Sequence, residues 1–377
     1  MKALTGAALI PLVVGALVVA SAPANAALGC RGAWVVQASP NPGTNNQLFD
    51  VDAVAANDVW AVGSTDLPGN NGVLIVHWNG RSWTALPPLN LNPNLSIGLS
   101  TIDVLSDTDI WVAGGRSPDN TFIAHFDGMR WSVTPSPSPG SFNNFLTGLS
   151  FSSPTDGWAV GMEDYQPVGL HWDGTSWSDA GVVQPEVGED TLRKVAAIAP
   201  DNVWAVGSTD FVADNGALIE HWDGTAWSIV PSAYSGLGDL NDLSVVSSSF
   251  IWAVGDYGNQ GTPFTPRSEQ WNGSSWQTVA TPTTPAPDGS LSSISAPSSS
   301  SAWAVGMQWG IKFGVLVSRT LAMSWNGSAW TVVTTPNPNK AENSLASVSA
   351  LSANVAWAVG YTSVHNGPSQ TLILAHC

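Results

Sequence analysis

The sequence predicts an all-β fold, a seven-bladed β-propeller of four-stranded antiparallel blades, on three observations. A Trp-Ala-Val-Gly run or close variant recurs at Trp60, Trp111, Trp158, Trp204, Trp252, Trp303 and Trp357. The spacing of about 50 residues is that of four-stranded blades rather than of helical arrays. A second anchor follows six of these runs: HWNGRSW from His77, HFDGMRW from His125, HWDGTSW from His171, HWDGTAW from His221, QWNGSSW from Gln270 and SWNGSAW from Ser324. Charged residues make up only 10% of the chain, against 37 Gly and 26 Pro, a balance that suits strands and turns.

Met1 and Lys2 precede an apolar run from Ala3 to Ala20, and small residues follow at Ser21 to Ala26. This order is that of a secretory signal cut after Ala26, so residues 1–26 are expected to be a signal peptide and 27–377 a single propeller domain. A second possibility is a lipidated Cys30, although Ala27 stands where a lipobox has Leu. The missing seventh copy of the second anchor is split between the ends. Leu372 to Cys377 reads LILAHC and stops where the Trp after His is due, while Cys30 to Trp34, CRGAW, supplies the lost turn and last Trp. Residues 30–42 are therefore expected to form the outer strand of blade seven and close the ring, which avoids an orphaned sheet edge. Cys30 and Cys377, the only two cysteines, are expected to form a disulfide in an exported protein.

Within blade four the strands are predicted near Leu192–Ile198, Val203–Ser208, Ala217–Trp222 and Ala226–Val230. The Asp-Gly or Asn-Gly pairs between the third and fourth strands favour tight hairpins. Prolines after the fourth strand, such as Pro135, Pro231, Pro282 and Pro336, lack an amide proton and belong at an exposed edge. All 20 tryptophans except Trp309 fall on repeat positions, where they are expected to pack between blades. His77, His125, His171, His221 and His376 are read the same way, because a catalytic or metal-binding histidine is not needed once in each blade.

Eleven Lys+Arg against 28 Asp+Glu, a net charge of −17, argue against nucleic acid and anionic membrane partners. No cofactor, no metal and no membrane insertion after signal cleavage are expected, and the protein is expected to be a monomer.

The WAVG run followed by HWDGTSW resembles the Asp-box, or BNR-type, repeats of sialidase-like and photosystem assembly-factor-like propellers. His171 stands where that box has Ser or Thr, and the interval Asp173 to Trp177 is one residue shorter. WDGTAW, from Trp222 to Trp227, is also similar to the repeats of bacterial propeller lectins. The first resemblance implies a propeller whose box is structural; the second implies sugar binding between blades. Neither delivers the arginine triad or tyrosine nucleophile of a sialidase, and no paired carboxylates, Gly-x-Ser-x-Gly elbow or His-Glu-x-x-His helix is legible. Catalytic residues are thus not assigned. The preferred function is a secreted, extracellular binding or scaffold protein that recognises a glycan or cell-envelope component; the alternative is a sialidase-like or other glycoside hydrolase or lyase acting on extracellular polysaccharide. The expected ligand face carries the connections between second and third strands and between blades, because residues after WAVG differ there from blade to blade. The candidates are Arg116, Glu163, Asp256, Tyr257, Trp309 and Tyr361, with Trp309 set in the blade-six insertion beside Lys312 and Phe313.

Overall fold

The structure, a computed structural model, describes residues 30–377 apart from 88, 90–94, 186–187, 210–215, 235, 259–261, 313 and 366. The expected signal peptide, residues 1–26, lies outside the described residues, as does Phe313. The described chain forms seven four-stranded antiparallel sheets. Blade four, for example, comprises Thr191–Ala199, Asn202–Ser208, Ala217–Trp222 and Trp227–Ile229, ordered from the central channel outward. Blade seven takes Glu342–Ser352, Val355–Ser363 and Ser369–His376 from the C-terminal end and Trp34–Gln37 from the N-terminal end. Residues 30–42 therefore close the ring as the split repeat predicts, with Trp34 opposite His376, and Cys30 is bonded to Cys377.

The WAVG glycine is a steric requirement. A Cβ on Gly63, Gly114, Gly161, Gly207, Gly255, Gly306 or Gly360 would stand 1.9–2.1 Å from a carbonyl oxygen of the adjacent inner strand. Each inner strand carries a register shift at this contact, as between Leu48 and Asp50, so glycine permits a bulge that turns one residue per blade toward the channel mouth.

The tryptophans form a cyclic clamp. The WAVG Trp of each blade packs against the two rings of the next blade's outer hairpin. Trp111 meets Trp172 and Trp177 at 5.1 and 6.0 Å, Trp158 meets Trp222 and Trp227 at 5.3 Å each, and Trp357 meets Trp78 and Trp83 at 5.1 and 5.4 Å. The last contact joins blade seven to blade one. Histidine covers the other side of the same ring, with His77 4.1 Å from Trp60, and Asp58 accepts hydrogen bonds from both Trp60 Nε1 (2.9 Å) and His77 Nε2 (2.8 Å). The clasp repeats with Asp109 in blade two and Asn202 in blade four; in blade three Asp156 holds His171 but not Trp158, its other oxygen accepting from Ser152, so these histidines are framework.

His376 departs from the predicted series. Trp357 pairs with Ala375, and His376 lies opposite Trp34, the place Trp78 holds opposite Trp83 in blade one. His376 thus substitutes for the first hairpin Trp, 4.6 Å from Trp303. The hairpin turns also differ from two-residue turns. Four residues connect Trp78 to Trp83, and Asn79 Oδ1 accepts the amides of Arg81 and Ser82. In blades three and four Asp173 and Asp223 play this part, and their carboxyls are held down at about 2, first by Thr175 or Thr225 and then by the two amides.

Candidate functional site

Strand direction gives the ring two unlike faces. The Asx-closed hairpins occupy one, while the connections between second and third strands and between blades occupy the other. On this variable face the bulged residues Phe49, Ser100, Thr147, Arg193, Asn241 and Ser292 line a channel mouth of about 480 Å³.

Below the mouth the inner strands present Asp50, Lys194 and Asp242, and then Asp52 and Asp103 above a chamber of about 290 Å³ open toward the hairpin face. These side chains first serve the backbone, because an inner strand has unpaired amides on its channel side. Asp50 accepts the Ile102 amide (3.1 Å), Asp52 that of Val104 (2.9 Å), Asp103 that of Phe151 (2.7 Å) and Asp242 that of Ile294 (2.9 Å). Ser150, Ser244, Ser295 and Ser349 do likewise for Ala197, Ala296, Ala350 and Ala53. Six of the seven blades thereby cap their successors. Ala196, at the same position of blade four, has no oxygen to offer.

Lys194 of blade four crosses the channel to Asp50 of blade one, 3.0 Å away, and divides mouth from chamber. Burial works to lower the lysine, but Asp50, Asp242 and Asp103 outweigh it and hold the ammonium well above its ordinary value. Desolvation, with Asp52 next, pushes Asp103 up to about 7, and desolvation also raises Asp52 and Asp242. Among the described residues no three His, Cys, Asp or Glu side chains converge as a metal site requires. The channel acids thus accept backbone amides, the hydroxyls of Thr101, Ser293 and Ser347, and one lysine, while Asp50, Asp52, Asp103 and Asp242 also line the chamber.

The six candidate residues all stand at the variable-face ends of second strands, but in five different blades. Arg116 lines a hollow of about 280 Å³ with Ser96, Asp119, Asn144 and Phe145. Glu163 lies beside the Gly140 loop, its carboxyl raised chiefly by burial and then by Asp179. Tyr361 is half-buried in blade seven, its hydroxyl raised by burial and by Glu342. Asp256 accepts a hydrogen bond from Ser290 (2.6 Å) and is raised mainly by burial. Tyr257 is 42% exposed and its ring lies 6.1 Å from Tyr234. Trp309 projects from the long blade-six hairpin, Ser301–Lys312 with Val315–Trp325, 6.2 Å from Phe264. The structure therefore gathers Asp256, Tyr257 and Trp309 in the sector of blades five and six and leaves Arg116, Glu163 and Tyr361 elsewhere on the face.

That sector holds residues the sequence reading passed over. A cleft of about 530 Å³ is lined by Tyr234, Thr265, Pro266 and the segment from Ala280 to Pro287. Behind Tyr234, Arg267 is 1% exposed, with its guanidinium carbon 4.5 Å from the ring centroid. Its Nη2 donates to Glu269, itself fully buried, and to Ser232 Oγ (2.9 Å). Glu269 in turn accepts Ser232 Oγ (2.7 Å) and the Ala233 amide (2.9 Å). Among the described residues Arg267 Nε and Nη1 have no hydrogen-bond partner. The signal available in sequence was comparison between repeats: opposite the WAVG glycine the other blades place Leu74, Phe122, Val168, Leu218, Leu321 and Leu372.

Blade four carries the equivalent acid without the arginine. Glu220 is fully buried, accepts among the described residues only the Val183 amide (2.9 Å), and is pushed up to about 7 by burial. Because the folded state holds this proton more tightly than the unfolded chain does, stability falls as pH rises from about 4.5 through 7, by roughly 3 kcal/mol at full ionisation. Glu220→Gln is expected to flatten that part of the stability–pH profile. Urea denaturation at pH 5 and pH 8 checks it: an unchanged slope in the variant would assign the loss to other groups.

The sequence matches no protein-family model, and no curated protein is similar to it. Its fold is that of a seven-bladed β-propeller, and solved propellers superpose on most of it. YCF48 bound to D1 peptide is 14% identical with a TM-score of 0.57, covering 92% of this chain and 97% of that one. The GH74 xyloglucanase from Xanthomonas campestris is 13% identical with a TM-score of 0.60, covering 90% of this chain and 55% of its own. A polysaccharide lyase, the PL25 ulvan lyase bound to -[GlcA(1-4)Rha3S]-, is 10% identical with a TM-score of 0.54, covering 91% and 95%. At these identities the likeness establishes the shared architecture.

Proposed function

We propose that the protein is an exported propeller, its leader 1–26 removed and residues 27–377 acting as one domain, that binds a glycan or cell-envelope polymer through its variable face. The observation that carries this function is the concentration of Asp256, Tyr257, Phe264 and Trp309 beside the cleft of blades five and six, on a face where the framework demands no particular side chain. Aromatic rings on loops held by a rigid scaffold are suited to stacking and anchoring. Glycan-directed and peptide-bound propellers among the structural neighbours support a ligand-binding scaffold by analogy of fold.

A glycan array and a pull-down on isolated cell-wall material test the function. Trp309→Ala and Tyr257→Ala are expected to weaken binding while leaving the melting temperature within about 2 °C, as for surface substitutions outside packed cores; Tyr361→Ala, in blade seven, is expected to leave this binding unchanged. Saturable hydrolysis or elimination of a polysaccharide by the parent protein would instead place it with the enzymes.

A further inference from the structure

We propose that the blade-five cleft is a built subsite for a neutral oligosaccharide, with Tyr234 as its stacking platform and Arg267 and Glu269 as the residues that position it; the inference rests on the glycan-binding function proposed above.

The seven blades supply an internal control. At the position opposite the WAVG glycine six blades carry a core aliphatic or aromatic residue, and blade five alone among them carries arginine. A buried ion pair is a poor exchange for an apolar pair in stability, since both charges lose their water. Arg267 is moreover left with two unmet donors. The pair earns no obvious structural return, yet it organises one surface feature in detail. Ser232 and Ala233 are tied to Glu269, Ser232 Oγ receives Arg267 Nη2, the Tyr234 amide donates to Ser232 Oγ at 3.1 Å, and the guanidinium lies over the Tyr234 ring. The ring is thereby held in one orientation at the cleft wall before any ligand arrives, which lowers the entropy lost on binding. In blade four the same acid secures Val183, a residue with no such platform to present.

The lining selects the ligand. Thr265, Thr281, Thr283 and Thr284 line the cleft beside one aromatic ring; the hydroxyls of Thr265, Thr281 and Thr284 donate to the carbonyls of Tyr257, Pro266 and Ala286, which leaves their oxygens as acceptors for the hydroxyl rim of a sugar whose C–H face meets the ring. Pro282, Pro285 and Pro287 give that wall no amide ladder for a peptide strand. Asp288 accepts the Phe264 amide and Asp256 stands opposite Pro266 in the ladder, both at the edge of the cleft, and the chain carries −17 overall, a balance that disfavours a polyanion.

Calorimetric titration of the full chain with cello-, xylo- and chitohexaose tests the assignment, with oligogalacturonate and a proline-rich peptide as counter-probes. At least one neutral hexasaccharide is expected to bind. Tyr234→Ala should weaken it at least tenfold and Tyr234→Phe less than threefold. The double substitution Arg267→Leu with Glu269→Leu, which installs residues of the kind found in the other blades, should weaken it at least tenfold while the melting temperature stays level or rises. A purely structural role for the pair predicts the reverse. Neutral binding that survives both Tyr234→Ala and the double substitution overturns this subsite and leaves the broader function standing, as does binding of the peptide or oligogalacturonate alone at Tyr234. If the parent binds no glycan here, on the array or in the cell-wall pull-down, the broader function falls with it.

Discussion

Lys194→Met should destabilise the protein by about 3–5 kcal/mol at pH 8, the usual consequence of leaving a buried charge without its partner. The lysine joins blades one and four across the channel at 3.0 Å from Asp50 and stands among Asp242 and Asp103. Methionine fills much of the same volume, so the loss reports charge rather than a cavity. Without the ammonium, the raised carboxyls of Asp52, Asp103 and Asp242 rise further, because each keeps its burial and its acidic neighbours. Acids whose folded pKa lies above the unfolded value lose stability as pH rises through that interval. The defect should therefore be smaller at pH 5 than at pH 8. Asp50→Asn in the Lys194→Met background should recover a large part of the loss, and equal losses at both pH values in denaturant titrations would show that the acids are not what Lys194 restrains.

Opening the ring should produce the second large effect. Cys30→Ser removes a crosslink spanning 347 residues, for which chain entropy gives an upper value of roughly 5–6 kcal/mol. Residual order in the unfolded chain reduces this, so about 3–5 kcal/mol is expected. Trp34→Ala should cost a comparable amount, about 3–5 kcal/mol, because Trp34 is 3% exposed and packs 5.1 Å from Trp303. Deleting residues 30–42 removes both and uncovers the edge of Ser369–His376, so the truncated chain should associate as well as melt early. Differential scanning fluorimetry with and without reductant, together with light scattering, measures both. A truncated chain that stays monomeric and melts with the parent would mean that closure contributes little.

Much of the fold was legible because it is local and repeated. The Trp positions and the glycine of WAVG recur seven times and the Asx-closed hairpin six times at one spacing, which averages out the ambiguity of a single strand and exposes the one copy that is split between the chain ends. Where a copy degenerates, register is lost: Ala375 and His376 look like the end of a His-Trp pair, yet the ladder shifts them by one. The candidate ligand residues were legible only as a face. Arg116, Glu163 and Tyr361 share that face with Asp256, Tyr257 and Trp309, but periodicity says nothing about which blades carry the cleft.

By itself the sequence determined the number of blades, the strand order, the closure by residues 30–42 and the face whose residues differ from blade to blade, while the structure decided between the Cys30–Cys377 bond and a lipidated Cys30. Most of these follow from contacts within a blade, where spacing along the chain implies proximity, and the closure follows from two partial copies of one repeat that complete each other. Only the tertiary structure decided that Lys194 meets Asp50 144 residues away, that Asp and Ser side chains cap the next blade's amides, and that Arg267 stands behind Tyr234. Those contacts depend on the diameter and closure of the whole ring and on how loops fold over its rim. Side chains brought together across a channel or under a loop leave no period in the sequence.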